Sequence, residues 1–274
     1  MSASQAEKAV RFRELHERAG VFLIPNPWDI GSARILASNG FEALATSSAA
    51  AANAIGRRDG RVTREEALTH AAMIAGAVDV PVSADLENGF GDTPEFVAET
   101  IQMAAATGLV GCSIEDSTGG KESAIYDFNY AVVRITVAAE SARALPFRFT
   151  LTARCENFIR GNPDLDDTIK RLVAYEKAGA DVLFAPGLPD LAAVRKVCSA
   201  LSKPLNFMVA IRGKSFSVAE LADAGVKRIS FASSLYRAAM TGFTEAMQEI
   251  KGKGTFTYLD RTLTTPEFNR FLPE

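Results

Sequence analysis

The chain has 274 residues, 47% of them hydrophobic, and sets 30 Lys and Arg against 33 Asp and Glu for a formal net charge of -3. That length and apolar content suit one α/β barrel, which ordinarily takes roughly 200 to 250 residues; a single domain over 1–274 is expected, with the barrel at about 20–250 and an arm at 251–274. Cations scattered among acids argue against a nucleic-acid partner, and the absence of an apolar run of about 18 residues or of a signal-peptide core at the charged start argues for a cytoplasmic, non-membrane protein.

In chain order, a helix over about 5–18 precedes eight short apolar or β-branched runs at 21–25, 43–47, 80–86, 111–116, 149–154, 182–186, 205–210 and 228–232. Helical patterns separate them, the rhythm a parallel sheet of βα units leaves in sequence. Most runs are almost continuously apolar, as strands covered on both faces are. Thr63 with Glu66 and Ser217 with Glu220 fit capping boxes, and Pro94 fits a first helical position. Gly40, Gly108, Gly179 and Gly225 close helices where a left-handed backbone is needed. The first strand runs into Pro25-Asn26-Pro27-Trp28-Asp29 without a G-x-G-x-x-G loop, so a (β/α)8 TIM barrel is preferred over an open doubly wound sheet. The alanine-rich run 49–54 reads as a mobile loop after the second strand. The tail after Lys251, with Phe256, Leu259, Phe268 and Phe271, reads as an arm that packs on a neighbouring subunit or on its own barrel.

Barrel chemistry sits at the carboxyl ends of strands. There Asp85 and Glu87, two residues apart, point the same way along an ideal strand, and like charges so close call for a cation or for Arg partners. Oxygen donors without His or Cys select a hard ion, Mg2+ with Mn2+ as a substitute, rather than Ca2+; Glu115 and Asp59 are placed to complete the shell through water. Arg154 ends the fifth strand, where a guanidinium either grips a substrate carboxylate or phosphate or pairs with Glu115 or Glu156. Ser47 and Ser48 offer hydroxyls and N–H groups to an anion. Gly213-Lys214-Ser215 is no P-loop, since Met208 stands where the upstream Gly belongs. Cys112, Cys155 and Cys198 are expected as reduced thiols, and His16 and His70 as helical surface residues.

At these positions the chain resembles the isocitrate lyase/phosphoenolpyruvate mutase superfamily over about 21–237. The ordered pieces are Gly40-Phe41, Thr46-Ser47-Ser48-Ala49, Gly56-Arg57-Arg58-Asp59, the run Pro81 to Gly91 around Asp85-Leu86-Glu87, Ser113-Ile114-Glu115-Asp116, Thr152-Ala153-Arg154 and Ala178-Gly179-Ala180-Asp181. The resemblance implies a Mg2+-bearing barrel acting on a small 2-oxo acid through an enolate, with Asp85 on the metal and Glu87, Asp59 and Glu115 near it. It also implies that Arg154 holds a substrate carboxylate, that the backbone at Ser47, Ser48 and Ala49 meets the other end, and that the protein is a homo-oligomer with exchanged or packed C-terminal helices.

Departures shape the functional expectation. Glu87 replaces the family's usual Asp. In the loop after strand four, Ser123 stands where carbon-carbon lyases carry Cys, and Ile125 where they carry His, while Lys121 matches. An unassisted Ser is a poorer proton donor than a tuned Cys, which weighs against isocitrate and methylisocitrate cleavage. The expected activity is C–C cleavage or decarboxylation of a small 2-oxo or 2-hydroxy acid, with Lys121, Ser123 and Tyr126 as proton handlers. The alternatives are a phosphonopyruvate/phosphoenolpyruvate mutase-like reaction and a non-catalytic 2-oxo acid binding protein.

Overall fold

The structure is a computed structural model and describes residues 3–120, 124–214 and 216–272. Eight parallel strands form a nearly closed barrel: β1 (Phe22–Ile24), β2 (Leu44–Ala45), β3 (Val82–Asp85), β4 (Gly111–Glu115), β5 (Thr150–Arg154), β6 (Val182–Phe184), β7 (Leu205–Met208) and β8 (Arg228–Ser230). Each lies inside the range expected from sequence. The ladder runs from β2 in sequence order to β8 and on to β1. Between β1 and β2 the Ala45 N–H donates to the Pro25 carbonyl at 3.0 Å, and the Asn26 amide donates to the Thr46 carbonyl at 3.0 Å.

The helices are α1 (Gln5–Glu17), α2 (Ile30–Ser38), α3 (Ser48–Ala54), α4 (Arg64–Ala77), α5 (Pro94–Ala105), α6 (Phe128–Arg143), α7 (Leu165–Lys177), α8 (Leu191–Ala200), α9 (Val218–Asp223), α10 (Ser234–Lys253) and α11 (Thr265–Asn269). The expected capping boxes at Thr63 and Ser217 are formed, and Pro94 opens α5; such caps contribute about 1 kcal/mol each by satisfying N–H groups that the helix leaves free.

The alanine run is an ordered helix rather than a mobile loop. Ser47 caps α3, and Ala50, Ala51 and Ala52 are buried, because a side chain of one methyl lets the helix lie against its neighbours. Helix α1 covers the amino end of the barrel. Its Gln5 amide donates to the carbonyls of Ala105 and Leu109 at 2.7 and 2.8 Å, and its Phe12 is fully buried. Phe12 reaches so deep because residue 111 is glycine: a Cβ there would stand 3.2 Å from the Phe12 ring and 2.6 Å from the Thr150 carbonyl.

His16 is not the surface residue expected. It stacks edge-on between Phe12 and Phe22, donates from Nδ1 to the Phe12 carbonyl at 2.7 Å, and holds its other nitrogen 3.4 Å from Arg228. His70 is part-buried, its Nε2 on the Trp28 carbonyl at 2.9 Å. All three cysteines are free thiols. No helix among the described residues is long and apolar enough to cross a membrane. Helix α10 buries none of its 20 residues; in the arm that follows, neither the turn Thr257–Arg261 nor α11 buries a residue, so among the described residues these elements of the arm add nothing to this chain's own core.

Candidate active site

The carboxyl end of the barrel gathers the charged side chains. Asp85, the last residue of β3, is held from three sides. Its N–H donates to the Thr46 hydroxyl at 3.1 Å, and its carboxylate accepts from the N–H groups of Ser48 at 3.3 Å and Glu87 at 3.2 Å. The Ser113 hydroxyl on β4 stands 3.5 Å away. Arg154, at the end of β5, places one Nη 3.5 Å from Asp85 and 3.5 Å from Glu115, so the two carboxylates face each other across a single nitrogen.

Two further acids complete the ring. Glu156 is fully buried and accepts from the Arg154 Nε in the shortest contact of the group, and from Arg160 Nε at 3.1 Å. Arg160 also reaches Glu115 at 3.4 Å. Glu87 does not continue β3: its φ of 49° turns the chain back, a conformation costing a non-glycine residue about 1–2 kcal/mol. The i, i+2 alternation expected of Asp85 and Glu87 therefore does not apply; the turn, not the pleat, brings them together. Asp59 lies on an exposed loop, accepts from the Gly60 N–H at 3.2 Å, and is near enough for its charge to act on Glu87.

Burial, followed by the charges of Asp85 and Asp59, pushes Glu87 up to about 7. Burial pushes Glu115 up to about 8, against the pull of Arg154. Burial works to lower the Arg154 pKa, but Glu156, Glu115 and Asp85 outweigh it and raise it. With Glu115 driven towards its neutral form, we assign the main compensation of Arg154 to Glu156, its nearest partner.

Four carboxyl groups thus meet two guanidiniums, with Glu87 and Glu115 held towards their neutral forms by burial, and a divalent cation would favour their ionised forms. Among the described residues, however, no group of three or more His, Cys, Asp and Glu is drawn together enough to hold a metal ion. The donor set fits an ion held directly by Asp85 and otherwise by water, the habit of Mg2+, and does not fit a closed all-protein cage.

Beneath the ring lies a cavity of about 50 Å3 bordered by Asp85, Ser113, Arg154, Asn206 and Arg228. Its wall is more polar than the apolar strand pattern implies. Arg228 spans the interior, donating to Asn206 at 2.8 Å and Thr152 at 3.0 Å.

Ser47 commits its hydroxyl to the cap of α3, accepting from the Ala50 N–H at 3.4 Å; Ser48 and Ala49 form the first turn, beside Asp85. Tyr126 stands apart from this ring: its hydroxyl donates to Asp92 at 2.6 Å, accepts from the Asn88 amide at 3.1 Å, and is pushed up to about 12 by burial and by Asp92. Lys121 and Ser123 lie outside the described residues.

Arg134, Arg171 and Tyr175 escaped the sequence reading, which placed Asp116 only as a strand-end acid without these partners. Arg134, 1% exposed on α6, donates to the carbonyls of Asn88, Gly91 and Asp92 and packs over the Tyr126 ring. Asp116 accepts from the Glu156 N–H at 2.8 Å, the Tyr175 hydroxyl at 2.6 Å and Arg171 at 3.3 Å. Its carbonyl accepts from the Tyr126 N–H at 2.8 Å, and Arg171 returns to the Tyr126 carbonyl at 3.1 Å. The available signal was a charge on the apolar stripe of a helix: Arg134 beside Ala131, Ile135 and Ala138, and Arg171 beside Thr168, Leu172 and Tyr175.

A parallel (β/α)8 barrel with carboxylates and an arginine converging at its carboxyl mouth has the design of a small-molecule enzyme. The phosphoenolpyruvate phosphomutase family model matches residues 12–251, and the chain belongs to that family, within the isocitrate lyase/phosphoenolpyruvate mutase superfamily of lyases and mutases. A solved structure from Burkholderia cenocepacia, assigned no more closely than lyase/mutase, superposes with a TM-score of 0.96 at 51% identity over 98% of this chain and 97% of that one. A 2-methylisocitrate lyase of Aeropyrum pernix is 28% identical, covering 93% of this chain and 84% of the relative. An oxaloacetate decarboxylase of Pseudomonas paraeruginosa is 28% identical, covering 97% and 94%.

Proposed function

We propose that this enzyme is a carbon-carbon lyase that cleaves or decarboxylates a small 2-oxo or 2-hydroxy acid, with Mg2+, or Mn2+ in its place, at Asp85. The observation that carries the reading is the single Arg154 Nη shared between Asp85 and Glu115, which sets a cation-seeking carboxylate beside an anion-seeking guanidinium at the scale of one small acid. When bound at Asp85, with Glu87, Glu115 and Asp59 around it, the ion supplies Lewis acidity towards a 2-oxo oxygen.

The chain's own groups do the remaining work. Arg154, kept charged and aimed by Glu156, grips the substrate carboxylate, and the Ser48 N–H and the start of α3 face the substrate's other end. In a 2-oxo acid the electrons of the C3–carboxyl bond pass to the 2-oxo oxygen, CO2 leaves, and the enolate takes a proton at C3; in a 2-hydroxy acid loss of the hydroxyl proton drives C2–C3 cleavage, C2 becomes the carbonyl of the released 2-oxo acid, and the carbanion left at C3 takes the proton. Lys121 and Ser123 are the proposed proton handlers. For Tyr126 we assign a different part, anchoring the loop, since its hydroxyl is already taken by Asp92 and Asn88.

A mutase reaction on phosphonopyruvate is the second reading, favoured by the family model itself. Incubating the protein and Mg2+ with oxaloacetate, 2-methylisocitrate and phosphonopyruvate, while following pyruvate enzymatically and phosphoenolpyruvate by 31P NMR, separates the two. Pyruvate from either carboxylic acid supports the lyase, and phosphoenolpyruvate supports the mutase; turnover of none rejects both for these substrates.

The uncovered face of α10 and the arm after it support assembly with further copies of the chain. Phe243, Met247, Phe256, Leu259, Leu263 and Phe268 are exposed, a run of apolar side chains of the kind that subunit contacts cover. Light scattering after size-exclusion chromatography tests it: a monomer at micromolar concentration rejects the assembly.

A further inference from the structure

A second cleft, of about 490 Å3, opens at the amino end of the barrel between α1 and the starts of β5 to β8. Arg13, Arg148, Lys203 and Lys227 line it with Glu17 and Asp181 as its acids. Those acids are already occupied. Glu17 is taken by Arg13 at 2.6 Å. Asp181 accepts from Arg143, outside the cleft, at 2.8 and 3.2 Å and from the Leu151 N–H at 2.9 Å, which leaves Arg148 one contact at 3.4 Å. Lys227 spends its ammonium on the neutral carbonyls of Arg18 and Gly20. Lys203 meets Glu176 through its backbone N–H, not its ammonium.

Arg148, Lys203 and Lys227 therefore leave a local excess of positive charge, and Arg228 stands behind the wall with hydrogen bonds to neutral partners. His16, which forms part of that wall, reports the same field: burial first, then Arg228 and Lys227, depress its pKa to about 3.

We infer that this cleft binds a phosphate group, either as free orthophosphate or as the phosphate of a small organic phosphomonoester, at a site separate from the carboxyl mouth. A phosphate carries about 1.5 to 2 negative charges near neutral pH on oxygens around one centre. It can therefore engage a guanidinium in bidentate fashion together with two ammonium point charges, whereas a monocarboxylate matches only one of the three. Thr150, a neutral hydroxyl at the base of β5, lies in the same wall.

The test uses the intact protein, with the mouth saturated by oxalate and Mg2+, and measures phosphate binding by equilibrium dialysis and melting temperature in sodium phosphate and in sodium chloride of equal ionic strength. The expected result is saturable binding near one phosphate per chain and a rise in melting temperature of a few degrees, as ligand linkage requires. Binding should weaken at least about tenfold, one charge-assisted contact's worth, in the surface variant Arg148→Ala/Lys203→Ala and stay unchanged in Asp85→Ala. Glycerol 3-phosphate binding more tightly than phosphate assigns the site to an organic ester; equal affinity assigns it to orthophosphate.

Equal melting temperatures in the two salts overturn the inference, as does wild-type phosphate binding by the double variant. It is also overturned if that variant loses the same stability in both salts with its phosphate response intact, because the cations then serve only the carboxyl ends of neighbouring helices. Since the readout is binding with the mouth blocked, failure here leaves the proposed lyase reaction standing, and failure of that reaction leaves this site standing.

Discussion

The two ends of the barrel carry opposite charge imbalances. At the carboxyl mouth, Asp85, Glu87, Glu115 and Glu156 outnumber Arg154 and Arg160; at the amino end, Arg148, Lys203 and Lys227 face two acids, Glu17 and Asp181, that Arg13 and Arg143 already hold. A formal net charge of -3 over the whole chain reveals neither. What a surface recruits is set by local surplus: one end suits a cation followed by its anionic ligand, the other an anion alone.

Breaking the mouth should have the largest effect. Asp85→Ala removes the carboxylate proposed to hold the cation, and turnover of any substrate accepted by the wild type should fall by at least about 10^3. The stabilisation of the fold by Mg2+ over EDTA should vanish with it. Scanning calorimetry with and without the ion checks the second half, and a persisting Mg2+ shift would move the cation away from Asp85.

Arg154→Lys keeps the charge but loses the planar fork that meets Glu156 on one side and is proposed to meet a substrate carboxylate on the other. A loss of roughly 10^2 in kcat/KM is expected, most of it in KM, because ground-state and transition-state binding suffer alike. Steady-state kinetics would expose a kcat-dominated loss, which would place Arg154 in the bond-breaking step instead.

The smallest effects are in pH dependence, where the two ends pull in opposite directions. Glu87, folded, titrates at about 7 against an ordinary 4.5; between these values the folded chain binds more protons than the unfolded one, so cation-free stability falls as pH rises. Glu115, at about 8, extends the fall. His16, at about 3 against 6.5, has the reverse sign: its contribution is complete above pH 6.5 and is lost as pH drops towards 3. In EDTA, Glu87→Gln should make the melting temperature climb more steeply from pH 4.5 to 6.5 than in the wild type, and His16→Gln should make it climb less or decline. Mg2+ should remove the Glu87 contribution by displacing its proton. Identical slopes in all three proteins would show that neither group titrates as its surroundings demand.

Much of the architecture was readable in advance because it rests on local signals. The eight strands are short apolar runs bounded by glycine and polar residues, and the capping boxes at Thr63 and Ser217 are four-residue patterns. Misreadings occurred where composition stood in for packing. The 49–54 run reads as a mobile loop but is a helix whose methyl side chains allow close approach, and His16 reads as a surface residue but is half-buried between Phe12 and Phe22, on a helix whose Phe12 enters the core beside glycine 111.

Within the mouth, Asp85, Glu115 and Arg154 could be placed because they end strands. Glu87 was foreseen near Asp85 for the wrong reason, a pleat instead of a left-handed turn. Arg134 and Arg171 stayed hidden because the partners that tie them to the site are carbonyls and a carboxylate some 40 to 55 residues away in sequence, a separation that no window of periodicity spans; the local pair of Arg171 with Asp167 gives no sign of them.

Asp116 has a wider bearing than its burial suggests. Its carbonyl and carboxylate fasten the stretch leading from β4 into the 117–126 segment, the return of that segment at Tyr126, and the peptide bearing Glu156. Moving the Asp116 peptide would therefore shift both Tyr126 and Glu156, the nearest partner of Arg154, so these parts share one hub. If Arg154 captures the substrate carboxylate as proposed, an inhibitor wedged against Tyr126 would loosen that capture without ever touching the arginine.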